Sequence, residues 1–279
     1  MLGMEDKEHI EHYAKHFLAL TCYAQPPENL GSNWVFLSFS GFILSVRGEW
    51  YFATAGHIFE KDMPKWLAVG YAFHDWQLKD MTPSFDPRIQ DIDGPGIIHT
   101  IPFALESQPK WHVYNEISGT DFAVFPLRSY YRNLLKGLIP LDETAWQVDP
   151  SANFEKYLLL GIPSDTVKLL EVPPTSQIGA VSSYYVSIEV EPLTSNETEV
   201  HLLRGHIPDI AMSGLPGFEH IHGMSGGPIF GLRQNPAGES RYWLLAIQST
   251  WNPGEQIITG YRIQPIVRVI NGLIESQAL

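Results

Sequence analysis

The sequence predicts an all-β fold, a barrel or a pair of barrels, closed by a helix at its C-terminal end. Three observations predict it. From Trp34 onward, short runs rich in Val, Ile, Leu, Phe, Tyr and Trp alternate with turn residues at close spacing. The final segment changes period, with Gln264-Pro265 followed by Ile266, Ile270 and Leu273 at helical spacing. No fixed-period repeat, low-complexity tract or linker divides the chain, so residues 30–279 read as one unit behind a helical extension over 1–29.

The extension rests on Ile10, Tyr13, Phe17 and Leu20, one face of a helix over 5–22 that Gln25-Pro-Pro-Glu-Asn-Leu-Gly-Ser32 ends. Strands are then predicted at 35–39, 42–46, 50–54, 66–71 and 97–103, with Arg47-Gly48 as the turn between the second and third. Residues 73–120, rich in Asp, Pro and Gly, read as a loop-bearing insertion. A strand over 121–125 and a short helix over 129–138 follow. Strands recur at 157–161, 184–190, 200–203, 228–230, 242–248 and 257–263. Pro265 suits the first turn of the closing helix.

Composition narrows the function classes. The 279 residues are 44% hydrophobic, with 8 Trp, 12 Tyr and 14 Phe, so the chain has ample material for a core. With 18 Lys and Arg against 31 Asp and Glu, the net charge of −13 leaves no basic surplus for nucleic acid or an anionic membrane. Cys22 is the only cysteine, which excludes an intrachain disulfide and a Cys-built zinc site. No apolar run reaches the length of a membrane span. The residues before Phe17–Cys22 are acidic where an export signal needs positive charge. A cytoplasmic location is therefore expected, and the Asn196-Glu-Thr198 sequon is expected to stay unmodified.

The chemistry concentrates in His222-Gly-Met-Ser-Gly-Gly-Pro-Ile229. A serine among glycines, on a turn entering a strand, exposes its hydroxyl while neighbouring N–H groups converge on one point. The plain alternative is a glycine-rich hairpin. Gly223-Met-Ser225-Gly-Gly227 also satisfies the nucleophile-elbow pattern of α/β-hydrolases, which needs an acid and then a histidine after the serine. No histidine and no aspartate follow Ser225, so that order is unavailable. Only Asp6 precedes His57, which disfavours the order Asp, His, Ser. The order His, Asp, Ser remains, and two segments fit it. Trp50-Tyr-Phe-Ala-Thr-Ala-Gly-His57 delivers a histidine at a strand end, and Gly119-Thr-Asp121 sets an aspartate at the head of an apolar strand. A buried carboxylate there would fix the imidazole tautomer.

With these segments the chain resembles the trypsin-like (chymotrypsin-fold) serine peptidases, in a bacterial style without a PDZ domain. Ser40-Gly-Phe-Ile-Leu44, Thr54-Ala-Gly-His57, Asp121-Phe-Ala-Val124, Leu160-Gly-Ile-Pro163, Gly223-Met-Ser-Gly-Gly-Pro228 and Leu244-Leu-Ala-Ile-Gln-Ser249 carry the resemblance, over roughly 33–276. It implies two six-stranded antiparallel β-barrels with the site between them, and peptide hydrolysis without cofactor or metal. It implies His57 as general base, Asp121 as its orienter and Ser225 as nucleophile, with the N–H groups of Gly223 and Ser225 as oxyanion hole. Secreted digestive members carry, before the serine, an aspartate that pairs with a newly cleaved N-terminus. Met224 stands there, so activation by such cleavage is not expected.

Substrate contacts follow from the same resemblance. Glu219 falls near the floor of the specificity pocket and would favour Lys or Arg, unless it belongs to a surface loop. His220 and His222 flank that pocket and would favour an acidic side chain instead. Gln248, Ser249 and Thr250 form the strand that pairs with the peptide. Two readings of function stand side by side. One is a serine endopeptidase, whose activity should fall below about pH 6.5 as its histidine is protonated. The other is a binding module that keeps the fold without turnover, or a latent enzyme switched on by a partner protein docking the N-terminal helix or the 73–120 insertion. His9, His12 and His16 share a helix face and read as solvated polar residues, and Asp91-Ile-Asp93-Gly94 reads as a turn.

Overall fold

Runs such as Phe42-Ile-Leu-Ser-Val46 and Phe122-Ala-Val-Phe125 lack a polar face, which suits strands buried on both sides. The computed structural model describes residues 12–30, 33–80, 100–135, 137–148, 153–169, 181–182, 186–194, 200–208, 220–234 and 240–276. Its first half holds β1 (Leu18–Gln25), β2 (Val35–Phe39), β3 (Phe42–Val46), β4 (Glu49–Thr54), β5 (Ala72–Asp80), β6 (Thr100–Pro102), β7 (Trp111–Asn115) and β8 (Thr120–Pro126). Its second half holds β9 (Lys156–Gly161), β10 (Lys168–Leu169), β11 (Val181–Ser182), β12 (Val186–Pro192), β13 (Leu202–His206), β14 (Pro228–Gln234), β15 (Ser240–Asn252) and β16 (Ile257–Arg262). A helix over Ile263–Ser276 follows directly, with Pro265 in its first turn.

The second half closes into a six-stranded antiparallel barrel, in the order β12-β13-β16-β15-β14-β9. Among the described residues the first half is not closed into the implied second barrel. It is two four-stranded sheets, β2-β1-β5-β6 and β3-β4-β8-β7, joined where Phe17 bridges Phe42. Arg47 and Gly48, with φ of 53° and 76°, make the two-residue turn between β3 and β4, the pair of positive angles that suits the twist of a hairpin.

Three expectations are corrected. The helix over 5–22 is strand from Leu18 to Gln25, and it pairs with β2 on one side and β5 on the other. Its residues are buried on both faces, and a run apolar on all sides has no period to separate strand from helix. Leu18–Gln25 is thus part of the first sheet, while residues 1–11 lie outside the described residues. The strand over 66–71 is a helix, Met63–Ala68, started by Pro64 and lying at the surface with Leu67 exposed. The insertion over 73–120 is more than loop: besides β6, which falls in the strand expected at 97–103, it supplies β5 and β7, which pair with β1 and β8.

Alternation along the strands builds the junction between the halves. Phe42 and Leu44 of β3, Ala53 of β4, and Phe122 and Val124 of β8 pack in one cluster with Leu160, Phe230, Ile247 and the closing helix's Ile263 and Ile266. The intervening Ile43, Phe52, Ala123 and Phe125 turn the other way, onto Leu18, Leu20 and Leu78.

His16 also belongs to the junction. Instead of sitting on a solvated face it is 4% exposed, bonding the Ile139 carbonyl through Nδ1 at 2.5 Å and the Tyr242 hydroxyl through Nε2 at 2.7 Å. Burial, against the carbonyl bond, pulls its pKa down to about 4, so the neutral ring donates from Nδ1 and accepts at Nε2. Tyr242→Phe leaves that buried Nε2 without a donor. It is expected to cost about 1–3 kcal/mol of stability, read as a lower urea midpoint at unchanged slope. His9 and Asp91–Gly94 lie outside the described residues.

Candidate active site

β4 ends at Thr54, and the chain turns through Ala55 and Gly56 to His57, which opens a π-helical turn over Ile58–Asp62. β8 carries Asp121 near its start, and the side chain is 2% exposed. The two residues are locked together. The His57 backbone N–H donates to Asp121 Oδ1 at 2.8 Å, and the ring Nδ1 lies 2.7 Å from Oδ2. A third donor, the Ser249 hydroxyl on β15, reaches Oδ2 at 2.5 Å. Burial alone would lift the Asp121 pKa, but the bonds from His57 and Ser249 and the charge of His57 hold it below the ordinary carboxylate value.

A carboxylate that only accepts therefore faces Nδ1, so neutral His57 carries its proton there and presents a lone pair at Nε2. Asp62 Oδ2 stands 3.8 Å from Nε2, at the far end of the π turn, and its side chain is 47% exposed. Lys61 is turned aside, bonding the Tyr114 hydroxyl at 3.1 Å, while the Tyr114 ring stands edge-on to the imidazole. Burial pulls the His57 pKa down, yet the Asp121 bond and charge, aided by Asp62, outweigh it and the net shift is upward. A reaction needing neutral His57 then loses rate from above pH 6.5 downward, higher than sequence alone suggests. Asp62→Asn removes one of the charges responsible. It should move the acid limb of the kcat/KM profile to lower pH, and an unmoved limb would show that Asp62 does not act on His57.

Ser225 lies in the turn before β14, described by two hydrogen-bonded loops. Met224 N–H donates to the Ile221 carbonyl at 3.1 Å across a turn whose third residue, Gly223, has φ +90°, the angle a type II turn requires. Gly227 N–H donates to the Met224 carbonyl at 2.9 Å. β15 holds this turn from the side, its Gln248 accepting from Gly226 N–H at 2.9 Å and donating to the Gly227 carbonyl at 2.8 Å. Among the described residues, nothing accepts from the backbone N–H of Gly223 or of Ser225. Both donors remain open for an oxyanion.

The structure joins His57 to Asp121 but does not close the side between His57 and Ser225. The Ser225 hydroxyl makes a long bond, 3.5 Å, to the Ser249 carbonyl, and no hydrogen bond links it to Nε2. Ser249 takes on more than the backbone role expected of it, because its hydroxyl also steadies Asp121. No local pattern announces that contact, which spans 128 residues of chain. Gln248 is buried, while Thr250 is exposed and pairs with Thr259 of β16. Pairing of β15 with β14 stops at Ile247, so from Ser249 to Asn252 that side of the strand has no strand partner among the described residues. His220 and His222 contact each other, ring centroids 5.6 Å apart, and neither makes a hydrogen bond, ion pair or ring contact with His57, Asp121 or Ser225. Glu219 lies outside the described residues. Among the described residues no cluster of three metal-binding side chains occurs.

No family model and no curated protein matches the chain. Solved structures with some likeness include a catalytically inactive tobacco etch virus protease complexed with substrate, at 11% identity and TM-score 0.40 over 93% of this chain and 85% of that one. The protease Anisep from Arthrobacter nicotinovorans gives 12% and 0.42 over 89% and 90%. The thermostable serine protease AL20 from an extremophilic microorganism gives 13% and 0.42 over 89% and 91%. Likeness at that level carries no argument about function. The residues of the site have to carry it.

Proposed function

We propose that the chain is a serine endopeptidase acting through an acyl-enzyme. The observation that carries the reading is the grip of Asp121 on His57 at both its backbone N–H and its Nδ1, 2.8 and 2.7 Å away. That grip leaves Nε2 as the basic nitrogen, and the serine turn carries two N–H donors with no acceptor among the described residues. The peptide pairs with β15 over Gln248–Thr250, as a strand added where β15 has no β14 partner among the described residues beyond Ile247. Ser225 Oγ attacks the scissile carbonyl carbon while its proton passes to His57 Nε2. Oxygen charge that develops is received by the N–H groups of Gly223 and Ser225, each worth roughly 3–4 kcal/mol in such a site. The imidazolium returns its proton to the departing amine, leaving an ester on Ser225. Water then repeats the sequence, releasing the acid and restoring Ser225 and His57. The unmade bond between Ser225 and His57 in the free protein agrees with catalytic hydrogen bonds that form fully only around substrate.

A fluorophosphonate probe tests the reading directly. Labelling of the wild type that vanishes in Ser225→Ala and in His57→Ala is the expected result. A folded wild type that takes no label would instead make the chain a latent, partner-activated or non-catalytic module, and label persisting in Ser225→Ala would place the nucleophile elsewhere.

A further inference from the structure

We propose that Ser40 and Ser164 are positioning residues that hold the oxyanion-binding peptide open before substrate arrives; the proposal rests on the serine-peptidase reading above. The two serines come from different halves of the molecule and grip the two peptide groups on either side of Gly223. Ser164, just after β9, donates to the His222 carbonyl twice, from its backbone N–H at 2.7 Å and its hydroxyl at 3.1 Å. With that carbonyl held on the Ser164 side, the trans peptide must point the Gly223 N–H the opposite way. Ser40, between β2 and β3, is fully buried and donates its hydroxyl to the Gly223 carbonyl at 3.0 Å. The same oxygen accepts from the Ile162 N–H at 2.9 Å, so one side chain ties the serine turn to β9 and to the first half together.

A hole of this kind fails when the His222–Gly223 peptide rotates and puts its carbonyl where the oxyanion should go. Here rotation must break both Ser164 bonds and abandon the φ of +90° at Gly223. There is no slack in which to compromise, since a Cβ at Gly223 would lie 2.6 Å from Ser164 Oγ and 2.8 Å from the Ile162 carbonyl oxygen. Below the turn, Met224 is wholly buried among Ile221, Ile229 and Leu245 inside the barrel, anchoring by apolar packing. The turn therefore needs no ion pair with a freed N-terminus. Its donors are fixed by serine hydroxyls and a buried thioether, all present in the chain as synthesised.

The test compares Ser164→Ala with Ser164→Thr. Ser164 is exposed, and its backbone donor survives in both variants, so both should fold. Losing one of two bonds to the carbonyl should lower kcat roughly 3- to 10-fold at unchanged KM. Affinity for a peptide aldehyde, whose adduct places an oxyanion in the hole, should fall by the same factor, and Ser164→Thr should restore both. Ser40→Ala strands the Ile162 N–H and the Gly223 carbonyl together and should lower kcat further, about 10- to 100-fold. If Ser40→Ala does not fold, the Ser164 pair decides alone. Wild-type kcat in Ser164→Ala, or a loss carried by KM, overturns the proposal. Fluorophosphonate labelling of the wild type separates that outcome from failure of the peptidase reading, which would abolish labelling in every variant.

Discussion

Asp121→Asn is expected to lower kcat about 10⁴-fold while the protein still folds. The carboxylate accepts from three donors at once: the His57 N–H on one oxygen, and His57 Nδ1–H and the Ser249 hydroxyl on the other. An asparagine offers one acceptor oxygen and one donor nitrogen to the same three groups. If the amide nitrogen faces the ring, Nδ1 must accept, the proton moves to Nε2, and the nitrogen that should receive the Ser225 proton is already protonated. If it faces the backbone, the His57 N–H is stranded against another N–H, and the ring keeps a bond to the amide oxygen but loses the charge that supports its imidazolium. Both orientations damage the base without enlarging or emptying the core. The variant should keep the wild-type urea midpoint to within about 2 kcal/mol of stability, as expected for one disrupted network. Full activity in a folded Asp121→Asn protein would show that His57 is not the base.

The measurement also separates Asp121 from Ser249. Ser249→Ala removes only the third donor, leaving both His57 contacts in place. Its effect should therefore be far smaller than that of Asp121→Asn, and it should appear in the pH profile, because one of the bonds that holds the Asp121 charge down is gone.

What could be read in the sequence was whatever lies close together along it. Strands 35–39 and 42–46, the Arg47-Gly48 turn and the closing helix follow from local runs, turn residues and a change of period, and the structure has all of them. So do the serine turn and the strand that carries Asp121, since each is a short segment with its own composition. β1 was not legible, because Leu18–Gln25 is buried on both faces and resembles a helix as much as a strand. Within 73–120 only β6 lies in a run read as strand, 97–103, while the Pro and Asp content hid β5 and β7, which are defined by their partners β1 and β8 rather than by their own pattern. Within the site, the three principal residues had motifs. Ser40 and Ser249 stand inside such motifs, yet the contacts they make, like those of Ser164 and Asp62, come from the fold and not from the local sequence. Asp62 is the partial exception: it stands five residues after His57, and only the π-helical turn brings its carboxylate back towards the ring.

Gly226→Ala should be a severely damaging single-methyl change at the seam between the halves. The residue has φ +91°, and a Cβ there would lie 2.1 Å from Thr54 Oγ1, 2.3 Å from the Ser40 carbonyl oxygen and 2.8 Å from the Ala55 nitrogen. Two of those atoms are backbone of the first half, so relief requires the serine turn and the strand leading to His57 to separate. Gly48 supplies the control, with φ +76° but nothing within 4 Å of its added Cβ. Gly48→Ala should cost only the left-handed penalty, about 1–2 kcal/mol. Gly226→Ala adds a steric conflict to the same penalty and should cost about 3 kcal/mol or more, with probe labelling lost even in the fraction that folds. A Gly226→Ala protein no less stable than Gly48→Ala, and still labelled, would mean that the two halves approach less closely than 2.3 Å contacts imply. Under the expected outcome, the closeness of Gly226 to Ser40 and Ala55 is what sets the distance from Ser225 to His57, so the same contact serves stability and catalysis and cannot be relaxed for one alone.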